Sequence, residues 1–273
     1  MPDYELAHAY DTVNLHRRDG AARIELNRPD TLNAWNRQLG HDLLAAVEAV
    51  AADDGVRAVM VTGAGRGFSS GADLRDVAVG EDRTPEGHPD VRATLTERYH
   101  PIVTGIRRMP KPVIAAVNGP AVGIGCSLAL CCDLVLAAES AYLLLGFVNV
   151  GLVPDGGSSL FLPARAGAAR TLEMAMLGER VPAVQAAAWG LVNRVHPDAE
   201  LSGAAEELAA RLAAGPTRAY AGIKRQLNQR IYAGMDEQLE LEADIQQEMA
   251  ASGDFLEGLT AFAEKRPAAF SGR

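Results

Sequence analysis

The chain has 273 residues, with 26 Lys and Arg against 35 Asp and Glu, a net charge of −9, and 48% hydrophobic residues. That length fits one large domain, or one domain with an appendage, and is enough to bury a sizeable core. The acidic balance excludes bulk attraction to nucleic acid or to an anionic membrane surface, so an anionic ligand must be held by local positive groups.

The opening residues Met1-Pro2-Asp3-Tyr4-Glu5 carry no basic segment leading into an apolar stretch, and no window approaches about 18 uninterrupted apolar residues. A soluble, cytoplasmic protein is expected. Residues 12–17 and 22–27 alternate apolar and polar side chains around Asp19-Gly20, which predicts a hairpin. From 36 to 52, Leu39, Leu43, Val47 and Val50 recur at helical spacing, and Asp53-Asp54-Gly55 ends the run. Residues 58–62, 113–117 and 134–137 are short apolar runs, the pattern of strands buried on both faces. Gly80, Pro85, Gly87 and Pro89 among charges predict a flexible surface loop over 79–90. Beyond Asp155-Gly156-Gly157 the pattern is helical over 168–177, 182–189, 200–213 and 217–231. Segments 235–249 and 255–263 then keep an apolar face suited to docking.

Two glycine-rich loops stand out. Phe68-Ser69-Ser70-Gly71-Ala72-Asp73-Leu74 and Asn118-Gly119-Pro120-Ala121-Val122-Gly123-Ile124-Gly125-Cys126-Ser127 each follow an apolar strand and run toward a helix. Free backbone donors at helix starts, reinforced by the helix dipole, suit an oxyanion that develops on a carbonyl oxygen. Gly63-Ala64-Gly65-Arg66-Gly67 lacks the ending of a P-loop, and Phe68 falls where a dinucleotide fingerprint needs its third glycine. Gly125-Cys126-Ser127-Leu128-Ala129 approximates a serine-hydrolase elbow, but Ala129 replaces the closing glycine and the preceding strand is too far away.

Asp155 precedes a helical pattern, so it serves either as an N-cap or as a general base buried near the oxyanion site. His100 lies before another helical segment, where a lone His is commonly structural. Cys126, Cys131 and Cys132 crowd one apolar segment as buried reduced thiols, and no cluster has metal-ligand spacing, so no metal site is expected.

Leu26-Asn27-Arg28-Pro29, Asn33-Ala34, Gly67 through Leu74, Lys111 through Gly119, Cys132-Asp133 and Phe262-Ala263-Glu264-Lys265-Arg266-Pro267 together resemble the crotonase (enoyl-CoA hydratase/isomerase) superfamily, in order and over nearly the whole chain. The resemblance implies an α/β fold. Residues 1–198 would form a crotonase-like spiral of beta-beta-alpha units holding the acyl-CoA site, and 199–273 a C-terminal helical oligomerisation domain. It implies homo-trimers or hexamers, and an acyl-CoA thioester substrate whose coenzyme A is part of the substrate, with no separate cofactor.

By the same resemblance, the amides of Ala72 and Ile124 would hold the thioester oxygen, and Ala72, Asp73, Leu74 and Arg75 would line the CoA. Phe262 with Lys265 of a neighbouring subunit would approach the nucleotide end. Hydratases of the family use two glutamates; Ser127 stands at the first position, and Phe147, or Val148 if the gap slips, at the second. Both positions would still contact substrate, but without carboxylates. Asp155 occupies the place where isomerase-like members carry a single catalytic acid. An enoyl-CoA isomerase with Asp155 as proton shuttle is therefore the favoured expectation. The alternatives are a hydratase, lyase or thioester hydrolase in which Ser127, Asn149 or His100 places a water, or an acyl-CoA-binding protein with little catalysis.

Overall fold

The computed structural model describes residues 3–79 and 82–273. Among these, the strands in chain order are β1 (Glu5–Ala9), β2 (Val13–Arg18), β3 (Ala21–Leu26), β4 (Ala58–Gly63), β5 (Val113–Val117), β6 (Ala121–Val122), β7 (Leu134–Ala138), β8 (Tyr142–Leu144), β9 (Val181–Pro182) and β10 (Arg194–His196). Asp19 and Gly20 both take positive φ, 44° and 79°, so the chain reverses there and β2 pairs antiparallel with β3, Val13 opposite Leu26 and Arg18 opposite Ala21. The main sheet has the order β1-β2-β3-β4-β5-β7-β10, and from β3 onward its neighbours run parallel. Every residue of β5 is buried, which is why that run shows no alternation of polar and apolar side chains.

Helices cover the sheet. Asn36 caps the helix Arg37–Ala52 by accepting from the Leu39 N–H at 2.9 Å. The helix then turns Leu39, Leu43, Val47 and Val50 into the core, each worth roughly 1.5–3 kcal/mol when fully buried. The helix Leu201–Ala214, although late in the chain, adds Leu201, Ala205, Ala209 and Ala213 to the same core. It is followed by Thr217–Ile231, Met235–Ala250 and Gly253–Glu264.

Several details differ from the sequence reading. The small sheet β6-β8-β9 escapes detection because strands of two or three residues have no measurable period. The helix expected over 168–177 begins at Ser158, and a break at Gly167 (φ 78°, ψ 167°) shifts the phase of the apolar pattern within it. Of the loop expected over 79–90, Gly80 and Glu81 lie outside the described residues. Arg83 and Pro89 form an antiparallel bridge, and Asp90 caps the next helical turn by accepting from the Ala93 N–H at 2.9 Å. The three cysteines are free and buried. Among the described residues no helix is long and apolar enough to cross a membrane, and no group of three or more His, Cys, Asp or Glu is placed to hold a metal ion.

Candidate active site

β4 and β5 are neighbours, and the loops that leave them are stitched together. Ser69 and Ala121 form a parallel bridge in which the Ser69 N–H donates to the Pro120 carbonyl at 2.9 Å and the Val122 N–H donates to the Ser69 carbonyl at 2.9 Å. Buried Asn33 braces the first loop, donating to the Ala64 and Gly67 carbonyls at 3.0 and 2.8 Å while accepting from the Arg28 N–H at 2.8 Å. Gly71 lets the loops close: its φ is +90°, and a Cβ there would sit 2.9 Å from the Val122 carbonyl oxygen.

Planar trans peptides then decide where two amides point. The Trp35 N–H donates to the Gly71 carbonyl at 2.8 Å and the Asp73 N–H donates to the Trp35 carbonyl at 2.9 Å. The Ala72 N–H, trans to that Gly71 carbonyl, therefore faces away from Trp35. In the second loop, the Gly123 carbonyl accepts from the Ser127 N–H at 3.1 Å, inside the first turn of the helix Ile124–Cys131. The Ile124 N–H, trans to it, points out of the helix end. Neither amide has a hydrogen-bond partner among the described residues, and both residues line one cavity of about 910 Å³.

The turn at 153–157 closes the same cavity. Gly156 has φ +62°, and a Cβ on it would lie 2.4 Å from the Ile124 Cδ1, so the turn is pressed against the residue carrying the second amide. Asp155 is 4% exposed and lines the cavity. Its Oδ2 accepts from the Gln246 Nε2 at 2.7 Å, and its Oδ1 has no partner among the described residues. Burial pushes its pKa up to about 8; the Gln246 hydrogen bond opposes that rise and the negative charge of Glu242 adds to it. Such a carboxyl can take and return a proton near neutral pH. Asp155 is not an N-cap, because Gly157 holds that position in the helix Ser158–Leu177 without a side-chain bond.

The other expected residues fall into two groups. Asp73, Leu74, Arg75, Phe147 and Asn149 line the cavity, with Asp73 held by Arg28 at 3.2 Å. Phe262 of this same chain also reaches the lining, because the helix Gly253–Glu264 docks on its own chain. A Cβ at Gly258 would be 2.6 Å from the Val150 carbonyl oxygen. Lys265 is exposed and outside the lining.

Ser127 corrects an expectation. It is fully buried outside the lining, and its hydroxyl donates to the Asp155 carbonyl at 2.8 Å, so it supports the turn rather than touching a ligand. His100 is likewise outside the lining, and burial lowers its pKa to about 4, leaving it neutral. The residues missed by sequence reading are Gln246, Glu242, Trp35 and Tyr99. The last two pack edge to face with ring centroids 5.0 Å apart in the cavity wall.

Comparison with known proteins agrees with this architecture. The family profile described as enoyl-CoA hydratase/isomerase matches residues 16–273. A probable enoyl-CoA hydratase of Rhodobacter capsulatus is 40% identical, over 97% of this chain and 100% of that protein. The 1,2-epoxyphenylacetyl-CoA isomerase of Escherichia coli K12 is also 40% identical, over 94% of this chain and 97% of the relative. A crystal structure of an enoyl-CoA hydratase from Mycobacterium avium subsp. paratuberculosis superposes with a TM-score of 0.86 at 38% identity, covering 96% of this chain and 100% of the other. With relatives matched nearly end to end and a site built from its paired loops, the chain belongs to the enoyl-CoA hydratase/isomerase family, the crotonase superfamily of acyl-CoA enzymes.

Proposed function

We propose that the protein is an enoyl-CoA isomerase that shifts a double bond of a 3-enoyl thioester into conjugation, using Asp155 as its single acid/base. The observation that carries this reading is that, of the six aspartates lining the cavity, Asp155 alone is buried, beside the loop that bears the Ile124 amide. Ionised Asp155 takes a proton from the α carbon, the C–H electron pair delocalises onto the thioester oxygen, and the protonated carboxyl returns the proton at the γ carbon. The amides of Ala72 and Ile124 stabilise the dienolate oxygen; one such donor is worth about 2.7–4 kcal/mol in acyl chemistry.

Water addition needs a second polar group to orient water; Phe147 at the corresponding wall is apolar, and the Asn149 side chain in the lining donates to the Gly178 carbonyl at 2.9 Å. The Asp73–Arg75 stretch and Phe262 contact the CoA portion, with Lys265 of a neighbouring subunit completing the nucleotide end in a trimer or hexamer. No cofactor beyond the CoA of the substrate takes part.

The test is conversion of 3-hexenoyl-CoA to its conjugated isomer, followed by absorbance of the conjugated thioester. Asp155→Asn is expected to lower kcat by about 100-fold or more, the usual worth of a positioned acid/base. Undiminished turnover by Asp155→Asn removes Asp155 from the chemistry. Loss of conjugation from crotonyl-CoA at a comparable rate points instead to the hydratase alternative.

A further inference from the structure

The helix Met235–Ala250 carries a polar stripe with one residue per turn: Gln238, Glu242 and Gln246. All three grip the turn that holds Asp155. Gln238 donates to the Ser159 Oγ at 3.0 Å. Glu242 accepts from the Gly157 and Ser159 N–H groups at 2.7 and 3.1 Å and from the Ser159 hydroxyl. Gln246, fully buried, accepts from the Val153 N–H at 3.0 Å and donates to the Val153 carbonyl at 2.9 Å and to Asp155 Oδ2 at 2.7 Å.

The orientation of the Gln246 amide is forced. The Val153 N–H can only donate, so the amide end facing it must be the oxygen, and the –NH₂ end must face Asp155. Both amide protons are then engaged, one on Val153 and one on Asp155. Oδ2 is fixed as an acceptor, and Oδ1 is left without a partner among the described residues.

We propose that Gln246 is a positioning residue that divides the two oxygens of Asp155 between tasks, holding Oδ2 as a permanent acceptor so that Oδ1 alone carries the proton, with Glu242 one turn away acting in the opposite electrostatic sense. This rests on Asp155 being the acid/base. The substrate proton passes from the α carbon to Oδ1 and from Oδ1 to the γ carbon, and Oδ2 keeps its bond to Gln246 throughout. Among the described residues, two ionisable groups face Asp155: Glu242 from this helix, its own pKa pushed up to about 6 by burial, and Tyr99 from the segment before the helix His100–Arg108. Burial raises the pKa of Tyr99, so its hydroxyl stays neutral. The helix Ile124–Cys131 contributes the Ser127 hydroxyl and no charge.

The experiment is the pH–rate profile of 3-hexenoyl-CoA isomerisation for wild type, Gln246→Met and Glu242→Gln, with melting curves to verify folding. Loss of the Gln246 donor removes stabilisation of the carboxylate, so Gln246→Met moves the acid limb up by about one pH unit. On that limb kcat falls about tenfold at a given pH, while KM changes by less than about threefold. Glu242→Gln removes a negative charge and moves the limb down. Opposite shifts from adjacent turns of one helix are not a consequence of general loosening. Isotope-edited infrared titration of the protonated aspartate carboxyl reads the same shifts without turnover.

If Gln246→Met does not fold, Gln246→Glu keeps the acceptor for Val153 and sets a second carboxyl against Oδ2, again moving the limb up. Folded variants whose limbs stay in place, or move together, overturn the proposal while leaving Asp155 as the base. Full activity in Asp155→Asn overturns the underlying reading instead.

Discussion

The two halves of the site are built from different materials. The amide corner at Ala72 and Ile124 is main chain, fixed by loops leaving adjacent parallel strands and by the near contact of Gly71 with Val122. The Asp155 corner is one side chain, held by a helix about 90 residues further along the chain. A main-chain device tolerates changes of side chain, which is why Ile124 can carry a proposed oxyanion donor, but it does not tolerate an extra atom where two backbones meet. The Asp155 corner, the proposed acid/base, is expected to have the opposite sensitivity: its shape survives an isosteric change, and its chemistry does not.

That contrast can be broken at either end. The largest effect expected is the loss of turnover in Asp155→Asn. Close behind it, Gly71→Ala places a methyl group 2.9 Å from the Val122 carbonyl oxygen at a φ of +90°, spreading the loops. Steady-state kinetics are expected to show about a 100-fold fall in kcat, with a stability loss of about 1–3 kcal/mol in urea unfolding. A fully active Gly71→Ala enzyme would falsify the paired-amide arrangement.

Next in size is a stability gain. The folded-state pKa of Asp155, about 8, lies above its unfolded value of roughly 4. The unfolded chain therefore releases its proton first as pH rises, and this carboxyl lowers wild-type stability progressively across that window. Asp155→Asn, still able to accept from Gln246, removes the slope and is expected to be more stable at about pH 8 by a few kcal/mol. Parallel melting curves for the two proteins across the window would contradict burial of an ionising group.

The smallest effect belongs to Ser127→Ala, which deletes the bond to the Asp155 carbonyl at 2.8 Å and a longer one to the Gly123 carbonyl at 3.4 Å. It is expected to cost about 1 kcal/mol of stability and to change kcat by less than about tenfold. A rate loss of Asp155→Asn size would return Ser127 to the reacting atoms.

Much of this architecture was legible from local pattern. The hairpin around Asp19-Gly20, the helix opened by Asn36 and the buried strand Val113–Val117 each carry their periodicity and punctuation within a few residues. Both glycine loops were visible for the same reason, since backbone conformation is a local property. The brace on Asp155 was not. Gln238, Glu242 and Gln246 show only a helical spacing, and their partners at 153–159 are 79 to 93 positions away. Ser127 misled because its place in the chain suggested substrate contact, whereas its hydroxyl turns inward to a carbonyl that no pattern reveals.

The inward-turned Gln238–Glu242–Gln246 stripe has a companion on the same helix, where Leu241 and Ile245 are 48% and 36% exposed. One helix thus carries the brace on Asp155 and, on the flank next to it, two exposed apolar side chains. Whatever covered those two side chains would lie within one helical turn of the brace on the Asp155 carboxyl.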